Sequence, residues 1–493
     1  MESNKNAKRW AINPKMKAQV LTDDEVKALH RTSVKVFEEI GIRVESIEAA
    51  KIYESGGATV EYQDNIAFVK IPEKMIDECL AATPKWPVFH GRIPESDYYT
   101  GKDEVTLTVF GECVTAKDPV TGEVRESHKE DLGNMTRFCD YYDDVAFVER
   151  SCGSLDKPAE TESLHNLDIM MQNTSKPVFL AAMKRENCKK MIEMGYIAAG
   201  GEDKFRARPF VNIFVCPVSP LTMGKDASEI IIEAARGGAG IAIIPMGLMS
   251  ATAPATIAGT VVETNVDVLA SIILAQLVNK GTRCFYCSMT TIMDLKKMIA
   301  AVGAPEHGLI SASAVKLAQY YELPSCVGCG VSDSKATDAQ AGVEFTANAF
   351  TAAISGANVI FAAGALEYCL LVDYAKMVID CEAFSFIRRI IQGVEVNEDT
   401  LAFDTMKAVG PSGEFLGQKH TRAHMREMVI PTLFDRNTRE AWEAAGSLTI
   451  EKVAAKRAQE ILATHKVAPL PEGAQEQIDK LIADYEKELG VAQ

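Results

Sequence analysis

An α/β protein built as a (βα)8 TIM barrel, with an N-terminal α+β cap and a C-terminal helical extension, is the architecture the sequence predicts. Three observations carry it. From about residue 104, eight short β-rich runs alternate with segments of helical periodicity, the signature of parallel strands joined by crossover helices. No glycine-rich dinucleotide fingerprint follows any of those runs; the inventory also allows an open doubly wound sheet, but eight βα units closing on themselves is the more economical arrangement. The 493 residues exceed what one hydrophobic core usually fills, so a large barrel with additions, or two to three domains, is expected.

In chain order, residues 1–103 read as a small α+β cap. It has a helix over 23–40 with Thr22 as its N-cap, then short strands near 42–44 and 67–71. Residues 104–395 form the barrel. Its strands are VTLTVFG (105–111), VAFVERS (145–151), KPVFLAA (176–182), PFVNIFVC (209–216), GIAIIPM (240–246), TRCFYCS (282–288), LPSCVGC (323–329) and NVIFAAG (358–364). Helices are expected after them over 127–142, 162–174, 186–199, 227–236, 254–279, 313–321, 337–355 and 373–391. Residues 396–493 form the extension: a loop-rich stretch, a histidine-bearing helix near 421–428, and amphipathic helices near 449–465 and 473–489.

Composition excludes several classes. A net charge of -16 with no run of Lys and Arg argues against nucleic acid. Residues 1–20 lack an apolar leader and no stretch approaches 18 uninterrupted apolar residues, so neither secretion nor a membrane is expected and the reading is cytoplasmic. Twelve scattered cysteines fit free thiols in a reducing compartment. The core is mostly aliphatic, since only 7% of residues are aromatic.

The stretch SCVGCGVSDS (325–334) carries a CxxC at the end of the seventh strand, where barrel sites are built. Side chains alternate along a strand, so Cys326 and Cys329 are expected to point apart, as are Cys284 and Cys287 on the sixth strand. Neither pair reads as a zinc knuckle, and no metal is expected. His420 and His424 stand at i, i+4 with Glu427 extending the face, a weak metal pattern. His165 and His307 stand alone, and there is no nucleophile elbow or phosphate loop. The strand ends are small and mostly uncharged. Such a mouth suits a bulky apolar or delocalised ligand, with Phe110, Glu112, Phe214, Tyr286, Asp333, Glu344, Phe361, Glu367 and Tyr368 available to a cation.

The stretches GPSGEFLGQKHTRAHMRE (410–427), PTLFDRNTREAW (431–442) and GVSDSKATDAQAGVE (330–344) resemble the trimethylamine methyltransferase superfamily, and the likeness runs through essentially the whole chain. The resemblance implies a barrel enzyme that moves a methyl group from a methylated amine to the cobalt of a separate corrinoid protein. The founding enzyme carries pyrrolysine, whereas every residue here is standard, so the chain is similar to the branch that demethylates quaternary amines: glycine betaine, proline betaine, carnitine and γ-butyrobetaine. A quaternary ammonium leaves as a neutral amine, so positioning can supply much of the catalysis.

On that reading Glu112, Asp333 and Glu344 are the catalytic carboxylates, and Phe110, Phe214, Tyr286, Phe361 and Tyr368 hold the cation. Lys335, His420 and Arg422 hold a betaine carboxylate, while Gly328 and Gly330 let the corrin ring approach. No DxHxxG cobalamin motif is present, so the corrinoid (cobalamin) is expected on a cognate partner protein, with none bound tightly by this chain, which is expected to self-associate as a homo-oligomer. Two alternatives stay open: a zinc-thiolate methyltransferase using Cys216, Cys287 or Cys329 with His420, and a betaine-binding protein without catalysis.

Overall fold

Eight parallel strands form the central sheet: β1 (Thr106–Leu107), β2 (Val148–Glu149), β3 (Val178–Leu180), β4 (Val211–Val215), β5 (Gly240–Ile243), β6 (Cys284–Ser288), β7 (Ser325–Val327) and β8 (Val359–Ile360). Each lies inside a run the sequence marks. The computed structural model describes residues 14–102 and 104–491. Residues 1–13, part of the stretch read for a leader, and residue 103, at the expected cap boundary, lie outside the described residues. β8 pairs with β1 in register Val359↔Thr106, and a parallel bridge from Leu107 to Val145, just ahead of β2, closes the sheet into a barrel.

The crossover helices are α1 (Lys129–Tyr141), α2 (Glu162–Asn173), α3 (Arg185–Ala199), α4 (Lys225–Gly237), α5 (Ile257–Val278), α6 (Pro305–Tyr320), α7 (Ala339–Ser355) and α8 (Tyr374–Gln392). α6 begins at Pro305 rather than residue 313, because proline fits the first helical position, where its missing N–H is not needed. α5 is long and apolar enough to cross a membrane, yet 83% of its apolar window is buried within the protein. The reason is packing on two sides. The barrel lies under α5, and the N-terminal helices Asp23–Lys35, Ile47–Ser55 and Glu73–Ala82 lie over it. Tyr53 donates to Ala270 O at 2.8 Å, and Asn265 donates to Ser33 Oγ at 2.9 Å, so the two layers also share polar contacts. A helix covered all round reads apolar all round.

Thr22 caps the first of these helices in a capping box with Glu25. The sequence reading missed Ile47–Ser55, Glu73–Ala82 and the strand Thr59–Gln63, which pairs with Ile66–Lys70. At the other end, Ile450–Thr464 packs on α8 and α1, and Ala474–Leu489 on α3 and α2. One continuous apolar core joins all three regions, from Val26 to Tyr485.

Inside the barrel the side chains stack in layers. Phe147, Phe179 and Phe285 fill the lower layer, and Phe89, from the short hairpin Val88–Phe89/Tyr98–Tyr99, stacks on Phe285 at 4.4 Å to plug that end. The upper layer, at the C-terminal ends of the strands, is a second aromatic group and forms the site below.

Candidate active site

Phe110 follows β1, Phe214 lies near the end of β4 and Phe361 follows β8. Phe110 meets Phe214 edge-on at 5.3 Å to make an aromatic floor, and Phe361, expected to hold the cation, instead backs Phe110 at 4.8 Å, fully buried and outside the cavity lining. Above it opens a cavity of about 430 Å³ whose walls include Phe110, Glu112, Phe214, Cys216, Met289 and Tyr368. The size and the mix of apolar wall with few polar groups suit a small molecule.

Two charged elements frame it. Glu112 is half exposed and takes Arg150 Nη2 at 2.5 Å, while Arg150, itself buried, also reaches Glu162 at 3.4 Å. The wall beside the β1 end is the loop after β8, where Glu367, Tyr368 and Cys369 hold φ of 50°, 62° and 71°. Left-handed backbone costs about 1–2 kcal/mol per such residue. Main-chain bonds hold it in place: Glu367 N donates to Ser334 O at 3.0 Å and Tyr368 N to Ser332 O at 3.3 Å. Lys335 Nζ donates to the Tyr368 hydroxyl at 2.8 Å and lies 4.4 Å from the ring centroid. Tyr368 is therefore fixed in the wall by a cation already on its ring, which leaves Phe110 and Phe214 as the free aromatic surface.

Beneath the aromatic floor sits a residue the sequence reading passed over. Glu149 of β2 is fully buried; Cys326 Sγ lies 3.7 Å from its Oε1, and its Oε2 has no hydrogen-bond partner. Burial pushes its carboxyl well above the usual range, which favours the neutral form. Cys216, in the cavity wall, stands within electrostatic reach of both Glu112 and Glu149. The signal was there in VAFVERS: Glu149 is two residues from inward-facing Phe147, so period two puts a carboxyl in the lumen.

The remaining expected residues separate. Tyr286 is not in the cavity: its neighbour Cys287 faces the lumen toward Cys326, so Tyr286 faces outward, donating to Asn265 Oδ1 at 2.9 Å. Asp333 and Glu344 brace loops instead. Asp333 Oδ1 accepts from Val302 N at 3.0 Å, and Glu344 Oε2 accepts from Ser332 Oγ at 2.6 Å and Asp333 N at 2.8 Å. Burial, with Glu344 nearby, raises the Asp333 carboxyl to about 6.

Gly328 and Gly330 are buried and admit protein rather than a ring. A Cβ at Gly328 would stand 2.1 Å from Met289 Sδ, and one at Gly330 2.6 Å from both Ala363 N and Phe361 O. His420 and Arg422 lie in the exposed C-terminal segment on Lys419–His424, apart from the residues that line the cavity.

Both CxxC pairs split as strand alternation requires. Cys326 faces Glu149 and Cys287 in the lumen, while Cys329 faces Ser311 of α6. Cys284 faces Gln276 of α5. Burial raises the Cys329 thiol to about 12 and lifts Cys287 as well, the opposite of a thiolate ligand. Cys216 and Cys287 come within electrostatic reach of each other, but Cys329 and His420 stand elsewhere, and among the described residues no cysteine joins a cluster of three metal donors.

Fold and site together define a (βα)8 barrel with a largely neutral, aromatic-floored small-molecule cavity at its strand ends. Residues 2–490 match the trimethylamine methyltransferase (MTTB) family. Over 471 residues the chain is 41% identical to the trimethylamine methyltransferase MttB of Desulfitobacterium hafniense strain DCB-2, covering 96% of this chain and 95% of that one. It is 30% identical to the glycine betaine methyltransferase of Desulfitobacterium hafniense strain Y51, covering 96% and 98%. Among solved structures, the monomethylamine methyltransferase of Methanosarcina barkeri matches 93% of this chain and 94% of its own at 15% identity and a TM-score of 0.47. The chain belongs to the trimethylamine methyltransferase family and, having only standard residues, to its non-pyrrolysine branch.

Proposed function

We propose that this methyltransferase takes a methyl group from a quaternary amine, glycine betaine or a related betaine such as carnitine, proline betaine or γ-butyrobetaine, and delivers it to Co(I) of a separate, cytoplasmic corrinoid protein. The observation that carries this reading is the cavity itself: an aromatic floor of Phe110 and Phe214 in a wall with few charges. A quaternary ammonium gains from aromatic faces without needing an ion pair. A mostly neutral wall also avoids holding the cation more tightly than the departing neutral amine, which would raise the barrier.

In this reading Glu149 is a counter-charge one layer below the floor, neutral when the cavity is empty and drawn toward ionisation by a cation above it. Lys335, at the Tyr368 wall, is the group best placed for a betaine carboxylate; His420 and Arg422 are not. The fit to a corrinoid rests on the cavity's rim. Val114, Met183, Val218, Met246 and Leu370, each from a loop following a strand, are between 44% and 54% exposed and form an apolar ring suited to a partner's macrocycle. When docked, a reduced corrinoid supplies the nucleophile for the methyl carbon. Phe110 and Phe214 then hold the ammonium so that one methyl group faces the opening. We also propose that the chain works as a homo-oligomer.

The test is a panel: the chain with reduced cognate corrinoid protein and glycine betaine, carnitine, proline betaine, γ-butyrobetaine, dimethylglycine or trimethylamine, following loss of the Co(I) absorbance. Turnover of one or more betaines with little or none of the tertiary amines is expected. A tertiary amine departs as a neutral amine only while its nitrogen keeps a proton, and that N–H finds no acceptor on the aromatic floor, so comparable rates with trimethylamine would overturn the substrate class. Calorimetric binding of a betaine without turnover would instead favour a binding protein.

A further inference from the structure

Residues 394–448 run over the surface with Leu433 as their one buried side chain. A segment of that length with so little apolar burial needs another kind of fastening. Within it, three side chains from distant positions converge. One donor atom each from Asp399, His420 and His424 lie within 4.8 Å of one another. His424 Nε2 stands 3.3 Å from Asp399 Oδ2, about the edge of a tetrahedron around an ion bound at roughly 2.0 Å. His420 Nε2 stands 3.0 Å from the Asp399 main-chain oxygen, and the two imidazoles are 4.2 Å apart between centroids.

A second observation is independent of the cluster's proximity. The other nitrogen of His424, Nδ1, donates to Glu427 Oε1 at 2.7 Å. A carboxylate on the far nitrogen of a histidine fixes the tautomer that leaves Nε2 free to bind a metal, the arrangement that usually stands behind metal-bound imidazole. Two imidazoles and one carboxylate, with room for water at an exposed position, are a borderline nitrogen and oxygen donor set that suits zinc.

We propose that Asp399, His420 and His424 form a zinc site, with Glu427 orienting His424, that ties the loop before Phe403–Val409 to the helix Lys419–His424 and so cross-links the C-terminal excursion within itself. The site is structural, stands apart from the methyl-transfer cavity, and does not depend on the reading of that cavity.

The experiment uses the full chain without a histidine tag, stripped with chelator and then titrated with zinc alone or with cobalt(II) as a spectroscopic substitute. Wild type is expected to bind one zinc per chain and to give the visible absorption of a low-coordinate cobalt(II) site. The double variant His420→Ala, His424→Ala should lose both signals while its far-ultraviolet circular dichroism stays that of the wild type. Glu427→Gln keeps all three ligands and should weaken zinc affinity by on the order of ten-fold. Zinc should slow tryptic cleavage at Lys407, Lys419 and Arg422 in wild type and not in the double variant. Failure of wild type to take up zinc under saturating conditions overturns the proposal. Equal zinc uptake by the double variant overturns it too, and because Asp399→Asn removes a single exposed oxygen, the same comparison can be made even where the double variant folds poorly.

Discussion

Phe110 and Tyr286 are both aromatic, both at strand ends, and belong to different sides of the same barrel wall. Phe110→Ala removes a face from the cavity floor and is expected to raise KM for a quaternary amine by about 2- to 30-fold, the equivalent of roughly 0.5–2 kcal/mol for a cation over a ring. Tyr286→Phe should leave KM unchanged but leave Asn265 Oδ1 without its donor, a stability loss of about 1–3 kcal/mol readable by denaturant titration. Reversal of that pattern would return Tyr286 to the site. Glu149 allows a sharper test. Burial pushes its carboxyl up and favours the neutral form in the empty protein, so a bound cation that favours the ionised form should expel a proton, and binding should tighten as pH rises. Calorimetry in buffers of different ionisation enthalpy would read the released proton. Glu149→Gln, which cannot titrate, should abolish the release; a wild type that binds betaine with no proton release would remove Glu149 from the reaction.

At the scale of the element, the loop after β7 carries a pH dependence. The Asp333 carboxyl is raised to about 6 in the folded protein against 3.8 for the free side chain, so the folded state holds a proton that the unfolded state has lost. Below the free value the two states are equally protonated. Stability then falls as pH rises through the window from about 4 to 6, and the loss is complete above it. Asp333→Asn can still accept from Val302 N and does not titrate. Its stability relative to wild type should therefore climb across that window by about 1 kcal/mol after allowance for solvent screening, and melting at pH 4 and pH 8 would show whether the gain is present only at the higher value.

The same loop shows what was legible in sequence. All eight strands and their helices follow from the alternation of short β-rich runs with helical stretches, and the splitting of Cys326 from Cys329 follows from period two. Tyr286 was misplaced because a strand end marks height on the barrel, not the side a residue faces; only its neighbour Cys287, which sits beside Cys326 of the adjacent strand on the lumen side, settles that. Gly328 was read as an opening because a glycine without neighbours in view looks like space, whereas Met289 fills it. The partners of Asp333 and Glu344 are in loops no periodicity locates. Asp399 could not be joined to His420 from spacing, since a loop and a helix bring them together.

For the whole molecule, the placement of apolar surface is the feature that folding alone does not require. The N-terminal helices cover α5 so fully that a membrane-length apolar helix is hidden, and the C-terminal helices lie across the outer layer. Yet the strand-end face keeps its ring of Val114, Met183, Val218, Met246 and Leu370 in water. An exposed apolar ring around a cavity mouth is stabilising only when something docks on it, and the chain carries an overall charge of -16 that otherwise favours keeping molecules apart. If the ring receives the corrinoid protein, its outer members should matter for the protein-borne acceptor and not for a free one. Val114 and Val218 lie outside the cavity lining, so Val114→Glu and Val218→Glu leave the substrate's contacts intact. Each is expected to lower the methyl-transfer rate to the corrinoid protein by roughly ten-fold, since burying an unpaired carboxylate at an interface costs more than 1.4 kcal/mol. Transfer to free cob(I)alamin should stay within about two-fold of wild type, because neither variant touches the cavity where the ammonium is held. Equal losses with both acceptors would mean that the substitutions disturb the cavity, and no loss with either would mean that the partner docks on another face.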